Sequence, residues 1–269
     1  RIVVHSLEYD DILNLRLTCR KLRCISFDVN CLYVTTKFIN PKIFPNLIEL
    51  IDKLLNLKNL TDFTQLRKLH SPYITNEDLT YFPHLTYLDC VKSNVTSVNH
   101  LTNLEELDCS YCKIYDLKNL PKLRKLNCAM TKIAVINFTN LVYLNCMSCF
   151  DIKELPFMPQ IKKLICDDTK ISEVNHLTSL EELICMNCPI KSIDLPNLKV
   201  LCCNNTLITE LISNLQELIC CYCVNLYYLH LPQAKELICS MSPIETIYIP
   251  KAENVSINHV QLKSINWPN

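Results

Sequence analysis

Apolar residues return along this chain on a fixed frame. Between Leu104 and Ile114 the sequence LEELDCSYCKI reads L-x-x-L-x-C-x-x-C-x-I, and Leu123 to Ile133 (LRKLNCAMTKI) and Leu180 to Ile190 (LEELICMNCPI) repeat it. Counting the first leucine as position one, the sixth position falls at Val34, Asp52, Ser71, Cys90, Cys109, Cys128, Cys146, Cys166, Cys185, Cys203, Cys220, Cys239 and Ile257. That makes about thirteen repeats from Val29 onward, with steps of 17 to 20 residues. A period of this length marks a solenoid, in which each repeat buries its apolar face against its neighbours alone. Alternation within the frame predicts a short strand, with Leu107 and Cys109 turned to the core and Glu106, Asp108 and Ser110 turned outward. The few remaining residues must cross back over the core. Leu-Pro and Ile-Pro pairs interrupt them at Pro121, Pro156, Pro196, Pro232 and Pro250, which favours extended or turn backbone. Single extra residues at Phe150-Asp151 and Val224-Asn225 fall in the loop after the strand. The expected fold is an α/β-type solenoid, mostly β, with one parallel sheet and a thin, mostly non-helical return side.

Over residues 29–269 this frame resembles the leucine-rich repeat, L-x-x-L-x-L-x-x-N/C-x-L. The resemblance implies a horseshoe whose parallel sheet lines a concave, ligand-binding face. Residues 1–28 stand outside the frame. There LEYDDILNLRLTCRKL (Leu7 to Leu22) has helix-like amphipathic spacing. It resembles the second half of an F-box through Asp11, Ile12, Leu13, Leu15, Arg16, Leu17, Cys19 and Arg20, with Leu22 where that family usually has Trp. This likeness implies contact with a Skp-type adaptor and a role as substrate receptor of an SCF-type ubiquitin ligase. A short helical cap on the open end of the solenoid accounts for the same residues equally well. Together the features resemble F-box/leucine-rich-repeat proteins of the type found in amoebae and giant viruses.

Charge narrows the partners. With 27 basic and 27 acidic residues the chain lacks the basic excess that draws a protein to nucleic acid or an anionic membrane, so neither partner is expected. No run approaches the roughly 18 apolar residues of a membrane helix. The chain opens on Arg1 rather than Met, so an upstream segment is expected. Glycine is absent, and Asn94, Asn187, Asn204 and Asn205 at the repeat corners are the residues expected to take left-handed backbone.

The 18 cysteines follow the repeat, which favours buried thiols in a reducing, intracellular setting, cytoplasmic or nuclear. Four C-x-x-C pairs (Cys109/Cys112, Cys146/Cys149, Cys185/Cys188, Cys220/Cys223) have zinc-knuckle spacing. Their first members, however, belong to a column of nine cysteines at position six, most without a partner three residues on. The second members share position nine with Ser93, Thr131, Thr169, Thr206 and Ser242, all small hydroxyl residues. Successive pairs therefore lie two rungs apart, about 9–10 Å, too far for one tetrahedral zinc. A structural ladder is favoured over metal or disulfides, although neighbouring rungs do bring cysteines within disulfide reach. No metal and no cofactor is expected. Asn99 to Leu107 recurs four repeats later as Asn175 to Leu183, so the array is built from duplicated pairs of repeats, with His100 and His176 as copied convex residues.

Binding chemistry is sought on the outward positions. Position five reads His70, Asp89, Asp108, Asn127, Asn145, Ile165, Ile184, Cys202, Ile219, Ile238, turning from polar to apolar halfway. Lys163, Glu182, Glu217 and Glu236 border the apolar part at position three, and Asp168, Tyr222 and Met241 at position eight. An apolar centre within a charged rim is the anatomy of a protein-binding surface. Strand propensity copied by duplication is the plainer account. The earlier repeats carry an acidic and aromatic surface of Tyr87, Asp89, Glu106, Asp108, Tyr111 and Tyr143. Asp89 and Asp108, about 5 Å apart, would repel unless a basic partner or cation sits between them. Cys202 and Cys221 are the most exposed thiols expected, with no His in register to act as base, and no glycine loop exists for phosphate. No catalytic constellation results. Protein recognition is the expected function, in an SCF-type ligase if the F-box likeness holds, or in a stand-alone scaffold otherwise.

Overall fold

The computed structural model describes residues 31–34, 47–52, 63–260 and 262–266. The F-box-like residues from Asp11 to Arg20 and the expected N-terminal helix lie outside the described residues. Two compact units divide the chain, Arg1–Thr131 and Lys132–Asn269.

In the first unit the frame forms β1 (Cys31–Val34), β2 (Glu49–Asp52), β3 (Lys68–His70), β4 (Tyr87–Asp89), β5 (Glu106–Asp108) and β6 (Lys125–Asn127), each parallel to the next. Register matches equal positions of successive repeats, as in Leu88 beside Leu107 and Asp89 beside Asp108. The central leucines Leu50, Leu69, Leu88, Leu107 and Leu126 are buried, as are Cys90 and Cys109 behind them. Among the described residues of this unit one short helix, α1 (Asn76–Leu79), interrupts the return path. Thr75 starts it, accepting from the Asp78 N–H at 3.2 Å while Asp78 Oδ2 accepts from the Thr75 N–H at 3.0 Å.

The second unit carries β7 (Tyr143–Asn145), β8 (Lys163–Ile165), β9 (Glu182–Ile184), β10 (Val200–Cys202), β11 (Glu210–Ile212), β12 (Glu217–Ile219), β13 (Tyr228–His230), β14 (Glu236–Ser240), β15 (Thr246–Tyr248), β16 (Asn254–Asn258) and β17 (Ser264–Asn266). The frame strands order as β7-β8-β9-β10-β12-β14-β16, all parallel. Among the described residues both units are parallel-sheet solenoids with almost no helix. The repeat did not foretell the second sheet, β11-β13-β15-β17, which forms on the return path from Glu210 onward. Its cause is local. The triplets Glu-Leu-Ile, Tyr-Leu-His and Thr-Ile-Tyr each bury a central residue (Leu211, Leu229, Ile247) and pair in register, and His230 stacks on Tyr248 at 4.5 Å.

The corner after each frame strand corrects the expectation about asparagine. Position eight takes left-handed backbone in every repeat from Lys92 to His259: φ is 62° at Lys92, 61° at Tyr111, 58° at Met130, 56° at Ser148 and 58° at Tyr222. Asn187 and Asn205 follow this rule, whereas Asn94 and Asn204 do not have positive φ. The ladder imposes it. The position-eight N–H donates to the position-seven carbonyl of the next repeat, as from Lys92 to Ser110 (3.0 Å), Asp168 to Met186 (2.9 Å) and Tyr222 to Ser240 (2.9 Å). Left-handed backbone costs a residue with a Cβ about 1–2 kcal/mol, so the ladder bond and the burial around it must exceed that cost at each corner. Ser110, expected to face outward, is buried, its Oγ folded back to donate to Asp108 Oδ1 at 2.7 Å.

Candidate functional site

On the second unit, Ile165, Ile184, Cys202, Ile219 and Ile238 stand on successive rungs and form one row. They cover one another to half-burial, and Ile238, beside Ser256 at the end of the row, is the most open at 44%. Position three forms the row beside them: Tyr143, Lys163, Glu182, Val200, Glu217 and Glu236. The Lys163 Nζ meets Glu182 Oε2 at 2.6 Å. Glu217 stands opposite Glu236, and among the described residues neither has an ion pair; Glu236 Oε1 accepts from Asn254 Nδ2 at 3.2 Å. At position eight Asp168 Oδ1 accepts from Asn187 Nδ2 (2.7 Å) and Asn187 Oδ1 from Asn205 Nδ2 (2.9 Å), after which the exposed Tyr222 and Met241 replace the polar ladder.

The first unit's face closes its charges on itself. His70 lies between two carboxylates, with Nε2 3.3 Å from Glu49 Oε1 and Nδ1 3.5 Å from Asp89 Oδ2. Hydrogen bonding to Asp89 raises the His70 pKa despite burial, and the same contact lowers that of Asp89. Tyr87 packs its ring 4.6 Å from His70, and burial followed by the nearby carboxylates pushes its hydroxyl up to about 12. Lys125 pairs with Glu106 at 2.9 Å, and the Lys92 ammonium lies 5.4 Å from the Tyr111 ring. The repulsion expected between Asp89 and Asp108 is therefore relieved inside the chain. Asp89 has His70, and Asp108 accepts from Asn127 Nδ2 at 2.7 Å.

A rule that sequence reasoning missed links the two faces. The position-seven N–H after each strand needs an acceptor. In the first unit position five supplies it within the repeat: Asp89 to Val91 (3.2 Å), Asp108 to Ser110 (3.0 Å) and Asn127 to Ala129 (3.3 Å). Asn145 still does so for Met147 at 3.1 Å. Further on, position seven of one repeat caps the next: Asp167 Oδ1 accepts from the Met186 N–H at 2.6 Å, and Asn204 Oδ1 from the Cys221 N–H at 2.7 Å. Asp167 is buried, which raises its pKa. Polarity at position five thus serves the turn, as an Asx cap, until position seven takes over. The visible signal was Asp167 and Asn204 at a position held by Val91, Ser110, Ala129, Met147, Met186, Cys221 and Ser240 in the neighbouring repeats.

The thiols lie behind this surface. Cys112, Cys188 and Cys223 each donate through sulfur to the position-six carbonyl of the preceding repeat, at 3.0 Å, and Ser242 does the same through oxygen. Thr169 and Thr206 reach those same Cys166 and Cys203 carbonyls from within their own repeats, both at 2.8 Å, so serine or threonine followed by cysteine is one bonding unit. Hydrogen bonds from Cys166 and then Thr169 pull Cys188 down to about 7, yet only a protonated thiol can donate to a carbonyl, so we assign the thiol form. Burial and the neighbouring thiols hold Cys146 and Cys185 well above the usual range. Cys202 and Cys221 are half-exposed; every other cysteine whose side chain is described is buried.

No protein-family model matches the sequence, and no curated protein matches it. Solved structures do resemble it. The functional domain of InlJ from Listeria monocytogenes, described as including a cysteine ladder, aligns over 88% of this chain at 23% identity and a TM-score of 0.58. YopM from Yersinia enterocolitica aligns over 90% at 18% identity and 0.60, and a leucine-rich-repeat protein of Leptospira interrogans over 98% at 15% identity and 0.58. The chain spans 59%, 62% and 80% of those three chains respectively. The fold of this chain is that of the leucine-rich repeat.

Proposed function

We propose that this chain recognises another protein through the outward face of the second unit's sheet, at the row Ile165, Ile184, Cys202, Ile219 and Ile238 with Tyr222 and Met241 beside it. The observation that carries this reading is the transfer of the turn cap from position five to Asp167 and Asn204. At Ile184 and Ile219 it frees position five from its structural duty, and these places hold branched apolar residues on the solvent side, where an inert surface would keep polar ones. The balance of 27 basic and 27 acidic residues favours a protein over nucleic acid as the partner, and the periodic buried thiols favour a reducing compartment, cytoplasmic or nuclear. The chain acts by binding, with no catalytic role and no cofactor. Replacing Ile184→Asp together with Ile219→Asp tests this. Partner capture, quantified against the unaltered chain by mass spectrometry, is expected to be lost while the melting temperature stays within about 2–4 °C. A collapse in melting temperature would show these residues to be core, and an unchanged set of captured proteins would end the reading.

The match of Leu7 to Leu22 to an F-box supports a second assignment, in which a Skp-type adaptor holds the N-terminus and the repeats select the target of an SCF-type ligase. Co-purification of such an adaptor that disappears with Leu15→Asp and Leu17→Asp is its test; a chain that never retains one is a stand-alone scaffold.

A further inference from the structure

Resting on that recognition reading, we infer that the element seated on the second unit's face is an amphipathic helix of the partner, laid across the strands with lysine or arginine along one flank. The backbone excludes the simplest alternative. Strands β8, β9, β10, β12 and β14 are each paired on both sides, so no peptide can join the sheet at the apolar row, and side chains alone must do the recognising. Their spacing selects the helix. Successive rungs lie about 4.8 Å apart, and a helix turn advances about 5.4 Å, so residues at i, i+3 or i+4, i+7 and i+11 drift by only about 0.6 Å per rung. An extended segment in the same direction presents a side chain to the face every 6.6–6.8 Å or so, and falls out of phase by the third contact.

Charge selects the flank. Glu181 is already claimed by Lys162 at 2.7 Å and Lys199 at 2.6 Å, and Glu182 by Lys163. Glu217 and Glu236, opposite each other and beside Ile219 and Ile238, have no cation among the described residues, an arrangement that costs stability in the free chain. Basic side chains on one edge of a docked helix would relieve it. On the other edge Tyr222 and Met241 offer exposed apolar surface, so that flank is neutral.

The test uses the full chain, immobilised, to select from a displayed library of random peptides of about 16 residues. Selected peptides are re-measured by fluorescence anisotropy against the Ile184→Asp/Ile219→Asp chain and against Glu217→Gln/Glu236→Gln. The inference expects peptides that need Ile184 and Ile219, carry apolar residues three or four apart with lysine or arginine on one side, gain helical circular dichroism on binding, and bind Glu217→Gln/Glu236→Gln roughly three- to tenfold more weakly. Dependence on the isoleucines with alternating apolar spacing, acidic flanks or no response to the glutamine pair overturns the helix and leaves the recognition surface standing. Peptides indifferent to Ile184 and Ile219 overturn both.

Discussion

At the scale of single residues, the same side chain does different work at different places in the frame. Cysteine at position six is an apolar filler: Cys185 is fully buried and burial holds its proton firmly. At position nine it is a hydrogen-bond donor, as Cys188 is to the Cys166 carbonyl. Serine should therefore substitute well for one and badly for the other. Cys188→Ser is expected to change unfolding free energy by less than about 0.5 kcal/mol, and Cys185→Ser to cost about 1–3 kcal/mol for burying a hydroxyl, both read from urea denaturation. Equal effects would mean the two columns are not distinct. His70 carries a second expectation. Its pKa is raised in the fold from the ordinary 6.5, so its pairing with Asp89 and Glu49 stabilises fully below that value and fades as pH rises through the raised one. Asp89, lowered, works in the opposite sense, and its contribution is lost as pH falls through its lowered value. His70→Gln should thus flatten the decline in stability as pH rises from the ordinary 6.5 through the raised value. The half-exposed setting limits the change to about 0.5 kcal/mol.

At the scale of elements, the frame strands were legible because leucine at positions one and four recurs without exception from Leu47 to Leu144, and alternation then assigned the faces. The return path was not, because a triplet such as Glu210-Leu211-Ile212 becomes a strand only when another lies in register beside it. The corners were misread for a related reason. Propensity points to asparagine for left-handed backbone, whereas the ladder N–H forces that conformation on whichever residue stands at position eight, lysine, tyrosine and methionine included. A chain without glycine therefore carries conformational cost at its corners. Met130, with φ of 58° and 44% of its surface exposed, isolates that cost. Met130→Gly is expected to raise stability by up to about 1 kcal/mol, the left-handed cost relieved less the flexibility gained by the unfolded chain, whereas Asn187→Gly should be near neutral. A destabilised Met130→Gly would show that its side chain contributes more than its backbone costs.

At the scale of the whole chain, net charge and composition said little about the candidate site. Zero net charge conceals a first unit in which Asp89, Asp108 and Glu106 on the strand face are matched by His70, Asn127 and Lys125, and a second unit with an open acidic pair, Glu217 and Glu236, against an apolar row. That difference lies in the register, and it becomes visible only when residues 17 to 20 apart are set side by side. The same one-dimensional order governs stability, because each rung bonds the next and no other. Leu144→Asp would place an unpaired charge in the buried first rung of the second unit, at several kcal/mol, more than one rung's worth of burial can absorb. Amide exchange followed by mass spectrometry is then expected to show protection lost in β7 and β8 but kept in β12, β14 and β16, where rungs still pair on both sides apart from the final strand. Loss of protection in all of these strands together would mean that the unit folds as one cooperative block. Retained protection at β12 and β14 has a functional reading as well: the rungs that carry Ile219 and Ile238 would still bind the selected peptides, with affinity reduced only by the contacts at Ile165.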